Sequence, residues 1–216
     1  MQPFEGVFPA DVLRALRQEL INFRLEYKFG MEELLTKINI LREEFEHSQS
    51  HSPIEHVRTR LKSLESVVNK MVRLRCEPTL ESIRDNIRDI AGVRVVCGFT
   101  ADVYWIARML SEQPDIQVVE VKDYVANPKP NGYKSLHLIV KVPVYLSNGR
   151  VDVYVELQIR TIAMDFWASL EHQIYYKFDQ EVPESIRSEL RDAALTAGQL
   201  DEKMARLRDE VHGPPE

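Results

Sequence analysis

A cluster of cations between His56 and Arg75 is the first feature of the sequence that indicates chemistry. The segment holds six cations and a single acid, Glu65, in a chain of 216 residues with a formal net charge of −6. A local excess of positive charge in an acidic protein predicts an anion site, with a solvated charged face as the alternative. The cations are Arg58, Arg60, Lys62, Lys70, Arg73 and Arg75.

Two carboxylates, Asp89 and Glu156, are the candidates for holding a metal ion beside such a site. Transfer of a phosphoryl-type group consists mainly of positioning and neutralising negative charge, and carboxylates commonly hold the Mg²⁺ that assists it. The alternatives are a local ion pair of Asp89 with Arg84 or Arg88, and a cross-strand ion pair of Glu156 with Lys141.

A strand and a helix are predicted to aim the cations at one point. Apolar and basic residues alternate from 57 to 62, which is the period of a strand with one basic face. Ser63 can then cap a helix that runs to about Arg75. Ser66, Lys70 and Arg73 are spaced four and three residues apart, so they are neighbours on this helix. The positive end of the helix adds to the predicted anion site.

A hairpin is predicted to bring Glu156 to a polar sheet face. Asn148-Gly149 is a strong signal for a two-residue turn, and strict alternation follows it from 151 to 160. In that register the numbers of opposed residues sum to 297, and a bulge at Pro143 would break it. The register pairs His137 with Arg160, Ile139 with Gln158 and Lys141 with Glu156, and puts His137, Glu156, Gln158 and Arg160 on one face.

The order of elements predicts an α+β fold, a mixed β-sheet flanked by helices. We expect N-terminal helices over residues 1–50, interrupted near Gly30, a core over 51–180, and a C-terminal helix over 181–216 that Pro183 opens. The last helix carries an apolar seam, which packs on the chain's own core or forms a subunit contact. The seam is Ile186, Leu190, Ala193, Ala197, Leu200, Met204 and Leu207.

Several classes of protein are excluded by composition and motifs. No apolar stretch is long enough to span a membrane, no signal peptide is visible, and the two cysteines lack ligand spacing, so a cytoplasmic protein is expected. The acidic net charge argues against non-specific coating of nucleic acid. No Walker A loop, Gly-x-Gly-x-x-Gly, His-Glu-x-x-His or Gly-x-Ser-x-Gly motif occurs.

Five segments between about residues 50 and 178 resemble the synthetase domain of the Rel/Spo family, and most closely its short members, the small alarmone synthetases. All five occur in the order found in the family. They are RTRLKS (58–63), DIAGVRV (89–95), KDYV (122–125) running into PKPNGYKSLH (128–137), VELQIRT (155–161) and AMDFWASLEH (163–172).

The resemblance implies a fold, a reaction and roles for particular residues. The fold is the nucleotidyltransferase-like Rel/Spo synthetase fold, and the reaction moves the β,γ-pyrophosphate of ATP to the ribose 3′-hydroxyl of GDP or GTP. The products are the stringent-response alarmones ppGpp and pppGpp. Asp89 and Glu156 match the carboxylates that bind Mg²⁺, and Glu156 also matches the activator of the hydroxyl. Arg60, Lys62, Ser66, Lys70 and Arg94 match ATP-binding positions, while Tyr133 (stacking on guanine), Lys134, His137, Gln158 and Lys129 match the acceptor side.

The resemblance also implies partners and leaves two other functions open. Short family members form homotetramers, some bind the alarmone as an allosteric ligand, and some bind single-stranded RNA. The hydrolase domain of the long members is not expected in this chain, and neither is alarmone degradation. The alternatives are pyrophosphate transfer to the tRNA 3′ end or to adenine nucleotides, and a non-catalytic RNA-binding or alarmone-binding module.

Overall fold

Five strands form one sheet in the order β1-β2-β5-β4-β3, with helices around it. The computed structural model describes residues 10–48, 52–176 and 182–213. The elements are α1 (Ala10–Ser48), β1 (Ile54–Leu61), α2 (Leu64–Leu74), α3 (Leu80–Asn86), β2 (Ala91–Cys97), α4 (Thr100–Ser111), β3 (Gln117–Asp123), β4 (Leu136–Leu146), β5 (Gly149–Thr161), α5 (Ile162–Tyr176) and α6 (Glu184–His212).

The sheet is mixed, as the sequence predicts. Strands β2 and β5 run parallel at its centre, and every other neighbouring pair is antiparallel. Apolar side chains dominate β2 and alternate with polar ones along β5, because one face of these strands packs on the core and the other face carries polar residues. Val95, Val155 and Ile159 are fully buried there. The pairing of β2 with β5 places Glu156 and Gln158 of β5 beside Gly92 and Arg94 of β2.

The predicted hairpin register is wrong by two residues, but the predicted face is right. Opposed residues sum to 295, so that His137 faces Gln158 and Ile139 faces Glu156, without a bulge at Pro143. The two-residue turn is Ser147-Asn148, because Gly149 pairs with Leu146 and begins β5 with φ of 136°. Since side chains alternate with a period of two, a shift of two residues leaves each one on its original face.

Helix α1 is continuous through Gly30, so the predicted interruption there is wrong. Its apolar stripe faces the sheet, and Tyr27, Leu34 and Ile38 are almost completely buried in the same core as the strands. A Cβ at position 30 would lie 2.9 Å from Cβ of Val153. Glycine is therefore required here by the close approach of helix and sheet, and it does not end the helix.

Gly30→Ala is expected to destabilise the protein by about 1–3 kcal/mol, because the added methyl group overpacks against Val153. Helix propensity alone predicts the opposite sign, a gain of about 1 kcal/mol. Urea unfolding measures the difference. Gly198→Ala in α6 is the matched control, since its Cβ would approach only the flexible end of Lys134. Equal stability of the two variants would refute this account of Gly30.

Helix α6 packs on the chain with its first half only. Leu190, Ala194 and Ala197 pack with Trp167 of α5, and the indole Nε1 donates to the Leu190 carbonyl at 2.8 Å. The later seam residues Leu200, Met204 and Leu207 are 44–52% exposed. The first half thus confirms packing on the chain itself, but the prediction is wrong at Ala193, which is exposed, whereas Ala194 is buried. A subunit contact through the second half stays a prediction. None of the helices in the described part of the chain has the length and apolarity needed to cross a membrane.

Candidate active site

Two rows of paired residues, most of them polar, cross one face of the sheet from edge to edge. In the first row Arg60, Gly92, Glu156, Ile139 and Glu120 are paired in succession from β1 to β3. The second row contains Arg58, Arg94, Gln158, His137 and Lys122, paired in the same way. Because paired residues share a face, the topology puts cations on the β1–β2 side and Glu156 at the centre.

A basic cleft of about 310 Å³ lies over β1 and β2. Lys62 extends into it from the end of β1, and Ser63 begins α2 beside it by accepting a hydrogen bond from the Ser66 amide. The predicted strand and helix therefore form the predicted corner. The polar lining of this basic cleft is Arg58, Thr59, Arg60, Lys62, Asp89, Arg94, Glu156 and Gln158.

Asp89 is held by two lysines in the turn between α3 and β2. Lys62 Nζ and Lys70 Nζ each lie 2.7 Å from its Oδ2. The predicted alternatives for Asp89 are wrong, because Arg84 pairs with Glu26 and Arg88 lies over the Tyr154 ring. Burial raises the pKa of Asp89, but the two lysines outweigh burial and leave it below the ordinary value.

The second oxygen of Asp89 fits a divalent cation. Asp89 Oδ1 is buried without a hydrogen-bond partner, and a buried carboxylate oxygen normally has one. Glu156 and Asp89 together line the basic cleft and a neighbouring cleft of about 340 Å³. Within the described ranges no group of three or more metal-ligating side chains occurs. Mg²⁺ needs only one or two carboxylates when substrate phosphates complete its shell.

Glu156 is oriented by two neighbours on the same face. His137 Nδ1 lies 3.2 Å from Oε1, and Gln158 Nε2 donates to Oε2 at 2.9 Å. The predicted alternative pairing with Lys141 is wrong, since Lys141 faces Tyr154. Burial raises the pKa of Glu156, but the hydrogen bonds from His137 and Gln158 outweigh it, so the pKa lies below the ordinary value. Glu156 is therefore a carboxylate at neutral pH.

His137→Asn is expected to raise the pKa of Glu156, because it removes the partner that lowers this pKa most. A carboxylate with a depressed pKa stabilises the fold above its unfolded pKa, and that contribution disappears as the pH falls through the folded pKa. The free energy of unfolding of the variant should therefore fall less than that of the wild type as the pH is lowered. NMR titration of the Glu156 carboxyl carbon measures the shift, with His47→Asn on α1 as the control. An unchanged or lower pKa would contradict the assignment.

An aromatic pocket of about 190 Å³ lies on the other side of Glu156, over β3 and β4. Lys129 Nζ lies 4.6 Å from the Tyr124 ring centroid and 4.8 Å from that of Tyr133. Tyr133 contacts this pocket from behind, with its hydroxyl 2.8 Å from His137 Nε2. The lining of the aromatic pocket is Glu120, Lys122, Tyr124, Lys129, His137, Ile139 and Glu156.

Four predicted site residues line neither the basic cleft nor the aromatic pocket: Ser66, Lys70, Tyr133 and Lys134. Lys70 contacts the site through Asp89, and Tyr133 contacts it through His137. Lys134 lines a small cavity beside Gly198 of α6, away from both the basic cleft and the aromatic pocket. Asp201 of the same helix lies close enough to interact with it electrostatically. Ser66 contacts Ser63 at 2.9 Å between hydroxyls. Ser66 and Lys134 support elements of the site from outside it.

Arg160 and Asp165 lie beside the site, although the sequence analysis gave neither residue a role in it. Both are buried, and Arg160 NH1 donates to Asp165 Oδ1 at 3.3 Å. The alternation of β5 put Arg160 on the face of Glu156, and that was the available signal. Asp165 belongs to the segment AMDFWASLEH of the family resemblance, but its contact with Arg160 could not be predicted, because it depends on how α5 turns away from the sheet.

Comparison with known proteins decides the family. A family model described as a region found in RelA / SpoT proteins matches residues 59–181, more than half of the chain. The chain belongs to the RelA/SpoT family. The matched range contains the first row of the sheet face, the second row except Arg58, both carboxylates and the loop that bears Lys129 and Tyr133.

Relatives in the RelA/SpoT family match over nearly their whole length. The GTP pyrophosphokinase YwaC of Bacillus subtilis is 48% identical over 93% of this chain and 96% of its own. The GTP pyrophosphokinase YjbM of the same organism is 39% identical, with 88% of each chain covered. A crystal structure of small alarmone synthetase 1 from B. subtilis, bound to its product pppGpp, matches with a TM-score of 0.83, 38% identity, and 90% and 99% of the chains covered.

Proposed function

We propose that this protein is a GTP pyrophosphokinase that makes the alarmones ppGpp and pppGpp from ATP and GDP or GTP. The observation that carries the proposal is that Glu156 lines both the basic cleft and the aromatic pocket. A group shared by a site for a polyphosphate and a site for a base lies where transfer between two nucleotides must occur. The matched GTP pyrophosphokinases support the same reaction.

The basic cleft supplies the binding of ATP. Its arginines and lysines neutralise the triphosphate, and Arg60 and Arg94 provide planar cations that stack on adenine. The aromatic pocket receives the acceptor, and Lys129, which lines it, binds phosphate. The family resemblance assigns guanine stacking to Tyr133, which lies behind the pocket with Lys129 over its ring. Holding both nucleotides against Glu156 replaces a bimolecular encounter by a positioned reaction.

In the chemical step, the acceptor 3′-oxygen forms a bond to the β-phosphorus of ATP while the bond from that phosphorus to the α–β bridging oxygen breaks. AMP leaves with that oxygen. Glu156 accepts the proton of the 3′-hydroxyl, and His137 and Gln158 hold its carboxylate in place. Because the hydroxyl is a very weak acid, the proton transfers late. Asp89 and Glu156 would hold Mg²⁺, which neutralises phosphate charge when bound.

Synthesis without hydrolysis is the activity we assign. The two relatives that match over most of both lengths are named GTP pyrophosphokinases. A relative named as a 3′-pyrophosphohydrolase, from Borreliella burgdorferi, matches over only 24% of its own length. The shared region therefore supports the synthetase reaction.

A cytoplasmic homotetramer is the form that we propose for the protein. The exposed apolar residues in the second half of α6 support a subunit contact. An alarmone as allosteric ligand and single-stranded RNA as a further partner are proposals that rest on the family resemblance alone.

Incubation of the purified protein with radiolabelled ATP, Mg²⁺ and one acceptor at a time tests the function. GDP, GTP, ADP and tRNA are the acceptors, and chromatography resolves the products. AMP and a 3′-pyrophosphorylated guanine nucleotide are expected from GDP and GTP. Transfer only to ADP or tRNA would replace the proposed acceptor. Absence of transfer to all four would favour a non-catalytic module.

A further inference from the structure

Arg160 and Asp165 form an ion pair that is almost fully buried between the two nucleotide sites. Arg160 is 4% exposed and Asp165 is 7% exposed. Breaking a buried pair is costly, so both partners must have their remaining polar atoms satisfied. The residues that contact the remaining polar atoms of Arg160 and those that contact the remaining polar atoms of Asp165 belong to different nucleotide sites.

The other N–H groups of Arg160 hydrogen-bond to residues near the proposed site of the acceptor nucleotide. Its NH2 donates to the Tyr133 hydroxyl at 2.5 Å and to Gln158 Oε1 at 2.7 Å, and its Nε donates to Ser135 Oγ at 3.2 Å. Since Gln158 Oε1 accepts from Arg160, the amide nitrogen of Gln158 is left to donate to Glu156. Arg160 thus holds both the guanine-stacking ring and the side chain that orients the carboxylate.

The other contacts of Asp165 are with residues near the basic cleft, the proposed ATP site. Its Oδ1, which accepts from Arg160, also accepts from Arg94 NH1 at 3.1 Å. Its Oδ2 lies 4.0 Å from His56 Nε2. Asp165 is in the first turn of α5, where the Thr161 hydroxyl accepts from the Met164 amide and the positive helix end stabilises a carboxylate. Arg94 lines the basic cleft, so one carboxylate oxygen joins the two sites.

We propose that Asp165 is a positioning residue that couples ATP binding to acceptor binding through Arg160. When ATP engages Arg94, Asp165 pairs with Arg160 alone and holds Tyr133 and Gln158 more firmly. The acceptor then binds a site that is already ordered, so each nucleotide strengthens the binding of the other. This inference rests on the proposed function, because it takes the basic cleft as the ATP site.

The test measures binding without turnover. The Kd of GDP is determined by calorimetry with Mg²⁺, in the absence and in the presence of saturating α,β-methylene ATP, whose α–β bridge cannot be cleaved. Wild-type protein is expected to bind GDP about 5–20-fold more tightly with the analogue. Asp165→Asn is expected to bring that ratio within about twofold of one, and Asp165→Glu to restore part of it. A merely structural role would weaken binding without changing the ratio.

The controls separate the inference from folding and from the function. Asp152→Asn removes a carboxylate that also pairs with an arginine, Arg150, but on the exposed hairpin, and should keep the wild-type ratio. If Asp165→Asn does not fold, the double variant Arg160→Met with Asp165→Leu removes both charges together and should likewise lose the coupling. A wild-type ratio near one, or a retained ratio in either variant, would overturn the inference and leave the synthetase intact. Failure of wild type to bind ATP analogue or GDP at all would overturn both.

Discussion

Glu156→Gln is expected to lower the rate of alarmone synthesis by at least about 10³-fold. The amide cannot accept the proton of the 3′-hydroxyl, and it is a poor ligand for a divalent cation. Because Gln158 and His137 can still hydrogen-bond to the new side chain, the fold and both nucleotide sites should persist. The loss should therefore fall on kcat.

Initial rates of AMP release, with ATP and the guanine acceptor each varied, measure this effect. The Michaelis constants should change little, because Glu156 lies between the two sites and binds neither base. Glu32→Gln, which removes an exposed carboxylate paired with Lys28 on α1, is the control. A loss confined to KM, or a residual rate above about a tenth of wild type, would show that another group accepts the proton.

Asp89→Asn is expected to reduce synthesis by about 10²–10³-fold, equal to about 3–4 kcal/mol of transition-state stabilisation. The substitution removes the carboxylate whose free Oδ1 fits the metal ion. It also leaves Lys62 and Lys70 without their shared anion. Those lysines then attract phosphate more strongly, so binding of ATP without metal should be unchanged or tighter.

The combination of weaker catalysis with retained metal-free ATP binding is the signature to measure. Rates across a Mg²⁺ titration and calorimetric ATP binding in chelator provide the two readings. Asp115→Asn is the matched control, because Asp115 also pairs with a lysine, Lys37, at 2.7 Å but on the surface. If ATP binding without metal weakened in parallel with activity, Asp89 would be a structural anchor of the lysines and not a metal ligand.

Stability should change with pH in a defined direction in the same variant. The pKa of Asp89 is depressed in the fold, so its contribution is present above the unfolded pKa and is lost as the pH falls through the folded pKa. The difference in unfolding free energy between wild type and Asp89→Asn should therefore be constant near neutral pH and shrink in acid. It is expected to reach about 1–3 kcal/mol at neutral pH.

Local patterns in the sequence were sufficient to predict the sheet face that carries the chemistry. The alternation along β5 placed Glu156 and Gln158 together, and the corner of β1 and α2 placed Lys62 near Lys70. The prediction for β5 is confirmed because it depends only on side chains alternating with a period of two. The prediction for Lys62 and Lys70 is confirmed because α2 begins directly after β1. The register failed by two residues because Gly149 belongs to the strand, a choice that the dipeptide Asn-Gly does not reveal.

Contacts between elements that are distant in the chain could not be predicted from the sequence. Lys134 was assigned to the acceptor because it adjoins Tyr133, yet the packing of α6 draws it away. Gly30 was interpreted as a helix break because only its propensity was visible, whereas its reason is Val153 on another element. The contacts of Asp165 could not be predicted for the same reason, since three strands and α5 must pack before these contacts can form.

The parallel pairing of β2 with β5 has a consequence for folding during translation. Asp89 precedes one of these strands and Glu156 belongs to the other, so a long intervening stretch must be made before they meet. A nascent chain still emerging from the ribosome has the lysines and one acid, but not the second acid. Slow closure of such distant contacts postpones catalytic competence until synthesis of the sheet is complete. Translation products truncated before Glu156 are therefore expected to make no alarmone.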